Sequence, residues 1–380
     1  MKKKVVILSS GHPPKDERIY SKIGLSLINN GYSVIICTST EELHTGDGSL
    51  LFDCFDGEKL TKREKINKFF SLLSLHSPDI IISAEPLPLL AGYKYKKHNV
   101  CVLISDITEW YPENVAFKYY GLKKWLSFIS LYFFNIYATK LADALIIGEV
   151  EKMKRYKVVA PFKTKAIISY FPRLEYFPLG EFNISKDEIN LGFTGIMNKS
   201  RGFFKLLNII EQLKMKHPKV TWKLTLVGKF LTQADETLFF DWRSSHPDIE
   251  IDFSSWLKYD QLSTQLKKVD IFLDLRELNF IFNNSLPIKI FEYMALGKPV
   301  IYSKASSLKK FFGEFSFGKL VDPTNDNEII SAIEFYLFNP EKRKQQGLLG
   351  RKLVADNYQW KYCEAKLIHF LEEIKTKLPT

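Results

Sequence analysis

Short runs of β-branched and aliphatic residues alternate with helix-length amphipathic segments along this chain, and few architectures accept that order. Strand, helix and strand in succession require a parallel sheet whose crossovers cover both faces. In the first half, strands are expected over residues 5–9, 33–37, 80–83, 100–104 and 144–148, with a helix over 19–29 running into the Asn30-Gly31 turn. A second series places strands over 189–194, 221–227, 249–253, 271–275 and 299–302, with helices over 203–215 and 288–296. Between the two, residues 171–187 carry Pro172, Pro178 and Gly180 with little periodicity, the composition of a linker. The expected organisation is a first α/β domain over 1–172, a linker over 173–187, a second α/β domain over 188–357, and a closing amphipathic helix over about 358–376. A chain of 380 residues is long enough for two separate cores.

Composition narrows the function classes. The four cysteines, Cys37, Cys54, Cys101 and Cys363, form no Cys-x-x-Cys pair, so a reducing compartment and no zinc site are expected. The apolar run after the basic start, Val5 to Leu8, is too short for a signal peptide, and no stretch reaches ~18 uninterrupted apolar residues, so a cytoplasmic location is expected. Formal net charge is +11, and residues 1–170 hold 24 Lys and Arg against 17 Asp and Glu. That balance suits phosphate-bearing small molecules or an anionic membrane surface. Nucleic acid is not expected as a partner, because zinc-finger spacings, glycine-aromatic RNA-binding motifs and long basic blocks are all missing from the sequence.

Ligands of open α/β sheets bind beyond the carboxyl ends of the strands, which directs attention to the strand-to-helix loops. In the first, Ser9 to Arg18, Gly11 lets a ligand approach the backbone and His12 could exchange a proton; a hydrogen-bonded loop histidine is the simpler reading, and no Gly-x-Gly-x-x-Gly fingerprint occurs. The loop after residue 104 sets Asp106 and Glu109 beside Trp110 and Tyr111, a combination suited to sugar hydroxyls and C–H faces, or equally to capping a helix start. Residues 191–202 combine Gly192, Gly195 and Gly202 with Lys199 and Arg201, a plausible diphosphate cradle at a helix N-terminus. Residues 283–300 read as a helix capped by Asn284 or Ser285, with Pro287 in its first turn and Gly297 at its end. Lys289 and Glu292, three apart, then share one face, as a phosphate and ribose pair or as a surface ion pair.

Four stretches, residues 11–19, 192–202, 284–300 and 320–340, together resemble the family 4 (group 1) glycosyltransferases, in order and with similar spacing. The resemblance implies the GT-B fold: two Rossmann-like α/β/α domains facing each other across a cleft, with the C-terminal helix crossing back to the first. It implies a retaining, hexosyltransferase-type enzyme that moves a sugar from a nucleoside-diphosphate sugar to a glycan or lipid-linked acceptor, in bacterial surface polysaccharide synthesis. Arg201 and Lys289 correspond to diphosphate-binding cations and Glu292 to the carboxylate that binds ribose. Gly11, Gly195 and Lys199 join them on the donor, while His12, Asp106, Glu109 and Asn284 fall at catalytic positions.

The chain departs from the family pattern at three places. Asn284 stands where a paired-glutamate motif has its first glutamate, Ile196 where an arginine follows the loop glycine, and Thr108 where Asp-x-His-Glu has its histidine. These departures keep open a catalytically degenerate sugar-nucleotide-binding subunit and, more remotely, a nucleotide-sugar epimerase of similar architecture. The sequence has no Asp-x-Asp, and helix dipoles with Lys and Arg can stabilise a leaving diphosphate, so neither a cofactor nor a metal is expected.

Residues 122–137 make up the most aromatic helix-length segment. At ~100° per residue its apolar positions cover most of the circumference, which fits a core helix or one lying on lipid. A core helix is the simpler reading; Lys123, Lys124 and a second cluster, Lys94, Lys96 and Lys97, keep open a peripheral membrane reading, which the family resemblance would place at the inner face of the cytoplasmic membrane.

Overall fold

A computed structural model describes residues 2–107 and 109–376, the side chains of 375 and 376 excepted. The chain divides into two compact units, residues 1–170 with 360–380, and residues 171–359.

The first unit is built on an eight-stranded sheet of β1 (Lys4–Ser9), β2 (Ser33–Thr38), β3 (Leu43–Asp47), β4 (Leu50–Cys54), β5 (Ile80–Ser83), β6 (Val102–Ile107), β7 (Ala144–Ile147) and β8 (Thr164–Ile167), in the order β3-β4-β2-β1-β5-β6-β7-β8. All neighbours are parallel except β3 and β4, an antiparallel hairpin at the edge. Every residue of β5 and β7 is buried, which explains their unbroken aliphatic sequences: crossovers cover both faces. The expected helix over 19–29 starts earlier, at Glu17, as a π-helical stretch, Glu17–Gly24, and becomes α-helical at Leu25–Asn29. Asp16 caps its start, accepting from the backbone N–H of Arg18 and Ile19.

The chain returns to this unit through the closing helix Trp360–Thr376. Trp360, Cys363, Leu367, Phe370, Leu371 and Ile374 form its buried stripe at helical spacing. Trp360 stacks on Tyr170 at 6.1 Å, and its indole N–H donates to Ser26 Oγ at 2.7 Å.

The second unit carries a wholly parallel six-stranded sheet of β9 (Glu188–Ile196), β10 (Thr221–Lys229), β11 (Glu250–Ser254), β12 (Ile271–Asp274), β13 (Val300–Ser303) and β14 (Gly318–Val321), in the order β11-β10-β9-β12-β13-β14. Period-2 alternation feeds two cores: Ile271, Leu273 and Ile301 enter one, and Phe272, Val300 and Tyr302 the other. Residues 171–187, read from sequence as a linker, pack on this unit. Phe177 is fully buried, and Gly180 N–H and Glu181 N–H donate to the carbonyls of Leu296 and Lys267, both at 2.9 Å. Prolines removed helical periodicity from this segment without removing its contacts.

Candidate functional site

At the carboxyl end of the second sheet the backbone is stripped of side chains. Gly195 on β9 has φ 118°, and a Cβ there would lie 1.8 Å from Lys289 Nζ. Its partner on β10, Gly228, would drive a Cβ to 1.8 Å from the Gly195 carbonyl oxygen. Only glycine admits this approach. Lys289, from the helix Ile288–Ala295, reaches over the strand end and donates to the Thr194 carbonyl at 2.5 Å.

Arg201 comes from the turn after β9. Asn198 Oδ1 fixes that turn by accepting from Arg201 N–H at 3.0 Å and Ser200 Oγ at 3.2 Å. Gly202, at φ 77°, closes it so tightly against Leu275 that a Cβ would meet backbone at 2.3 Å. The Arg201 guanidinium lies 4.7 Å from the ring centroid of Phe282, and Arg276 approaches the same ring at 5.0 Å. Arg276 is buried and forms a bidentate pair with Asp274, at the end of β12. Sequence reading missed this pair; the signal was Asp274-Leu275-Arg276 at a strand end, two charges on one side of an otherwise apolar strand.

Three cations, Arg201, Arg276 and Lys289, therefore meet two carboxylates, Asp274 and the buried Glu292. Burial, with Arg201 alongside, lowers the Lys289 ammonium from its ordinary value to about 8, against the pull of Asp274 and Glu292. Such a cluster accepts an anion. Lys199 is exposed on the same turn, its carbonyl accepting from Gly202 N–H at 2.9 Å, and Ile196 is half-buried at the end of β9.

The expected cap at Asn284 or Ser285 is corrected. Asn284 ends a separate short helix, Phe280–Asn284, started by Asn279, and Pro287 is the cap residue of the helix that carries Lys289. Pro287 forces its predecessor out of the α region, which splits one expected helix into two. Asn284 Nδ2 donates back to the Phe280 carbonyl at 2.7 Å.

The corresponding end of the first sheet behaves differently. His12 Nδ1 lies 3.1 Å from Asp16 Oδ2, and His12 Nε2 lies 3.1 Å from Arg18 Nη2. A guanidinium only donates, so Nε2 carries the lone pair and Nδ1 the proton given to Asp16. Burial opposes ionisation of Asp16, yet His12 and Arg18 bring it down to about 2. Glu85 accepts from Ser9 Oγ and Ser10 N–H, both at 2.8 Å, and stands 3.5 Å from His12 Nε2, closing the loop around Gly11. Asp106, expected to face a ligand, turns inward: it is 2% exposed, 3.4 Å from Arg18 Nε, and burial raises its carboxyl above the usual range. Glu109 is exposed, so the structure separates the environments of the two carboxylates. Thr108 lies outside the described residues. The structure thus joins His12 to Asp106 through Arg18, while Glu109 stays outside that network. Among the described residues, no group of three or more His, Cys, Asp or Glu side chains is placed to hold a metal ion, and no helix is long and apolar enough to cross a membrane.

Comparison with known proteins agrees with this architecture. Residues 180–353, nearly all of the second unit and every residue of its cation cluster, match the family model of glycosyl transferases group 1. No curated protein matches the chain in sequence. Among solved structures, the sucrose-phosphate synthase of Thermosynechococcus elongatus aligns with 99% of this chain and 100% of its own, at 15% identity and TM-score 0.76. HepE of Anabaena, solved with UDP and glucose, covers 98% of this chain and 100% of its own at 14% identity and TM-score 0.70. The Escherichia coli structure described as trehalose-6-phosphate bound with UDP-2-fluoro glucose covers 99% and 100% at 11% identity and TM-score 0.66. The chain has the GT-B fold.

Proposed function

We propose that this chain is a retaining glycosyltransferase of family 4, with a nucleoside-diphosphate sugar as donor and a glycan or lipid-linked acceptor, acting in bacterial surface polysaccharide synthesis. The observation that carries the reading is the gathering of Arg201, Arg276 and a buried Lys289 with a lowered pKa around Gly195, in the segment that matches the group 1 family. Arg201 and Lys289 bind the diphosphate, the bare backbone at Gly195 lets it come close, and Glu292 accepts from the ribose hydroxyls. Arg276, held by Asp274, keeps Phe282 under Arg201 and adds to the positive field.

When the bond from the anomeric carbon to the diphosphate oxygen breaks, negative charge grows on that oxygen next to Arg201 and Lys289, which stabilise it without moving. The acceptor hydroxyl adds on the face being vacated, and its proton passes to the departing diphosphate. This requires neither metal nor cofactor, since fixed cations supply the charge. Asn284 hydrogen-bonds the donor sugar through its carbonyl oxygen. In the first unit Asp106 acts as a positioning residue for Arg18 and His12, and Glu109 is the carboxylate left to face an acceptor.

The same Asn284 supports a second reading, a sugar-nucleotide-binding subunit without transfer, because its amide is engaged by Phe280 and it brings no charge. Thermal shift with UDP-, GDP- and dTDP-sugars, followed by nucleoside diphosphate release with and without EDTA, tests both. Transfer needs stabilisation by one donor and release that EDTA leaves intact. Stabilisation without release under any acceptor supports the binding subunit, and no stabilisation by any donor rejects both.

A further inference from the structure

The helix Gly121–Leu141 turns its apolar side outward. Its inward side is supplied by Asn135, Ala138, Thr139 and Leu141, all buried and mostly near its C-terminal end. Leu122, Trp125, Leu126, Ile129, Phe133 and Tyr137 are between 51% and 74% exposed. Their spacing of three and four puts them on a single stripe ~22 Å long. The expectation of a core helix is therefore corrected: among the described residues, none covers the apolar side chains at the centre of the solvent-facing arc. A contiguous apolar stripe of this kind marks an interaction surface.

Charge selects the partner. From residue 114 to residue 142 the sequence has no Asp or Glu, and it has Lys118, Lys123, Lys124 and Lys140. At the first end Lys123 lies 4.4 Å from the Tyr119 ring centroid and Lys124 lies 4.3 Å from that of Phe117, so both ammonium groups sit at the border of the aromatic ridge. Ridge order comes from the rings themselves: Phe117 and Tyr132 each stack on Phe128, at 6.0 and 6.1 Å. Pairing with a second copy through this stripe would set lysines against lysines with no carboxylate between them, because a two-fold interface repeats the same residues. An anionic bilayer meets both halves of the chemistry. Tryptophan and tyrosine rings suit the headgroup boundary, leucine, isoleucine and phenylalanine enter below it, and lysine stems reach back to the phosphates.

We propose that the helix Gly121–Leu141 docks this protein on an anionic lipid surface, lying in the plane of the interface with the Leu122 to Tyr137 stripe inserted. This goes beyond the transfer reading and does not depend on it. The test is co-sedimentation with phosphatidylcholine vesicles with and without phosphatidylglycerol, at low and high salt. Expected are binding that needs phosphatidylglycerol and weakens with salt, a loss of about 30-fold on changing Lys123→Gln and Lys124→Gln together, and abolition by Ile129→Glu with Phe133→Glu. Thermal midpoints recorded for each variant separate unfolding from loss of docking, and Trp125→Phe should remove a blue shift of emission seen with vesicles. No binding at low salt, or binding indifferent to the Ile129 and Phe133 changes in folded protein, overturns the proposal. So does concentration-dependent dimerisation that Phe133→Glu abolishes, which would assign the stripe to a second copy.

Discussion

The loop ends of the two sheets have opposite electrostatic economies. In the first unit Arg18 and Lys22 are set among Asp16, Glu17, Glu85 and Asp106; Lys22 pairs with Glu17 and donates to the Tyr170 carbonyl at 2.7 Å, and His12 is locked between Asp16 and Arg18. Carboxylates there outnumber the cations they surround, and the network holds a loop in shape. In the second unit three cations meet two carboxylates, and the lysine among them gives up its proton more readily than usual. A lysine whose charged form burial disfavours is costly to keep, and an anionic ligand would restore that charge. The same topological position holds a loop in order in one unit and, on the proposed function, receives an anion in the other.

The sharpest way to break this contrast is at Arg18. Arg18→Gln leaves Asp106 buried without its cation and should cost about 3 kcal/mol in urea denaturation, with nucleotide affinity of the folded protein unchanged. Full stability in that variant would mean that the first cluster does not hold its loop by charge. Lys289→Ala should do the reverse. Nucleotide-sugar affinity falls by about 1.5–3 kcal/mol, while the ligand-free protein keeps or gains thermal stability, because a cation with a depressed pKa is removed. A destabilised ligand-free protein with normal affinity would make Lys289 a structural residue. Gly195→Ala places a methyl group on the Lys289 ammonium at a left-handed φ, and about 1–3 kcal/mol of stability should be lost together with nucleotide affinity. The smallest effect is expected from Asn284→Ala, which should lower turnover while leaving nucleotide affinity within a factor of about two, since only the sugar feels it; isothermal titration beside product release separates the two.

Most of the fold was legible because buried parallel strands read as continuous aliphatic runs. The hairpin of β3 and β4 was not, since His44, Thr45, Gly46 and Asp47 are exposed and follow no alternation, and β8, half-buried throughout, has too little pattern to announce itself. At the site, Lys289 and Glu292 were legible from helical spacing. Asp274 and Arg276 were not, because only tertiary packing brings the Arg276 guanidinium against Phe282 and Tyr302. The direction in which Asp106 points depends on Arg18, 88 positions away, and no local pattern encodes it. The helix Gly121–Leu141 is the clearest case: periodicity gave apolar residues on most sides, and only the packing reveals which side is left uncovered.

Proton linkage separates a diphosphate-binding Lys289 from a structural one. Its pKa of about 8 without ligand, below the ordinary 10.5, means that the ammonium is mostly charged at pH 7 and mostly neutral at pH 9. A bound diphosphate favours the charged form, so binding above pH 8 must take up a proton. Isothermal titration of the stabilising nucleotide sugar in buffers of different ionisation enthalpy should show affinity falling about 10-fold from pH 7 to pH 9, with proton uptake at pH 9. Lys289→Arg should flatten that dependence. Affinity constant across this range in the unmodified protein, with no proton taken up, would contradict an incompletely neutralised Lys289 as the anchor of the diphosphate.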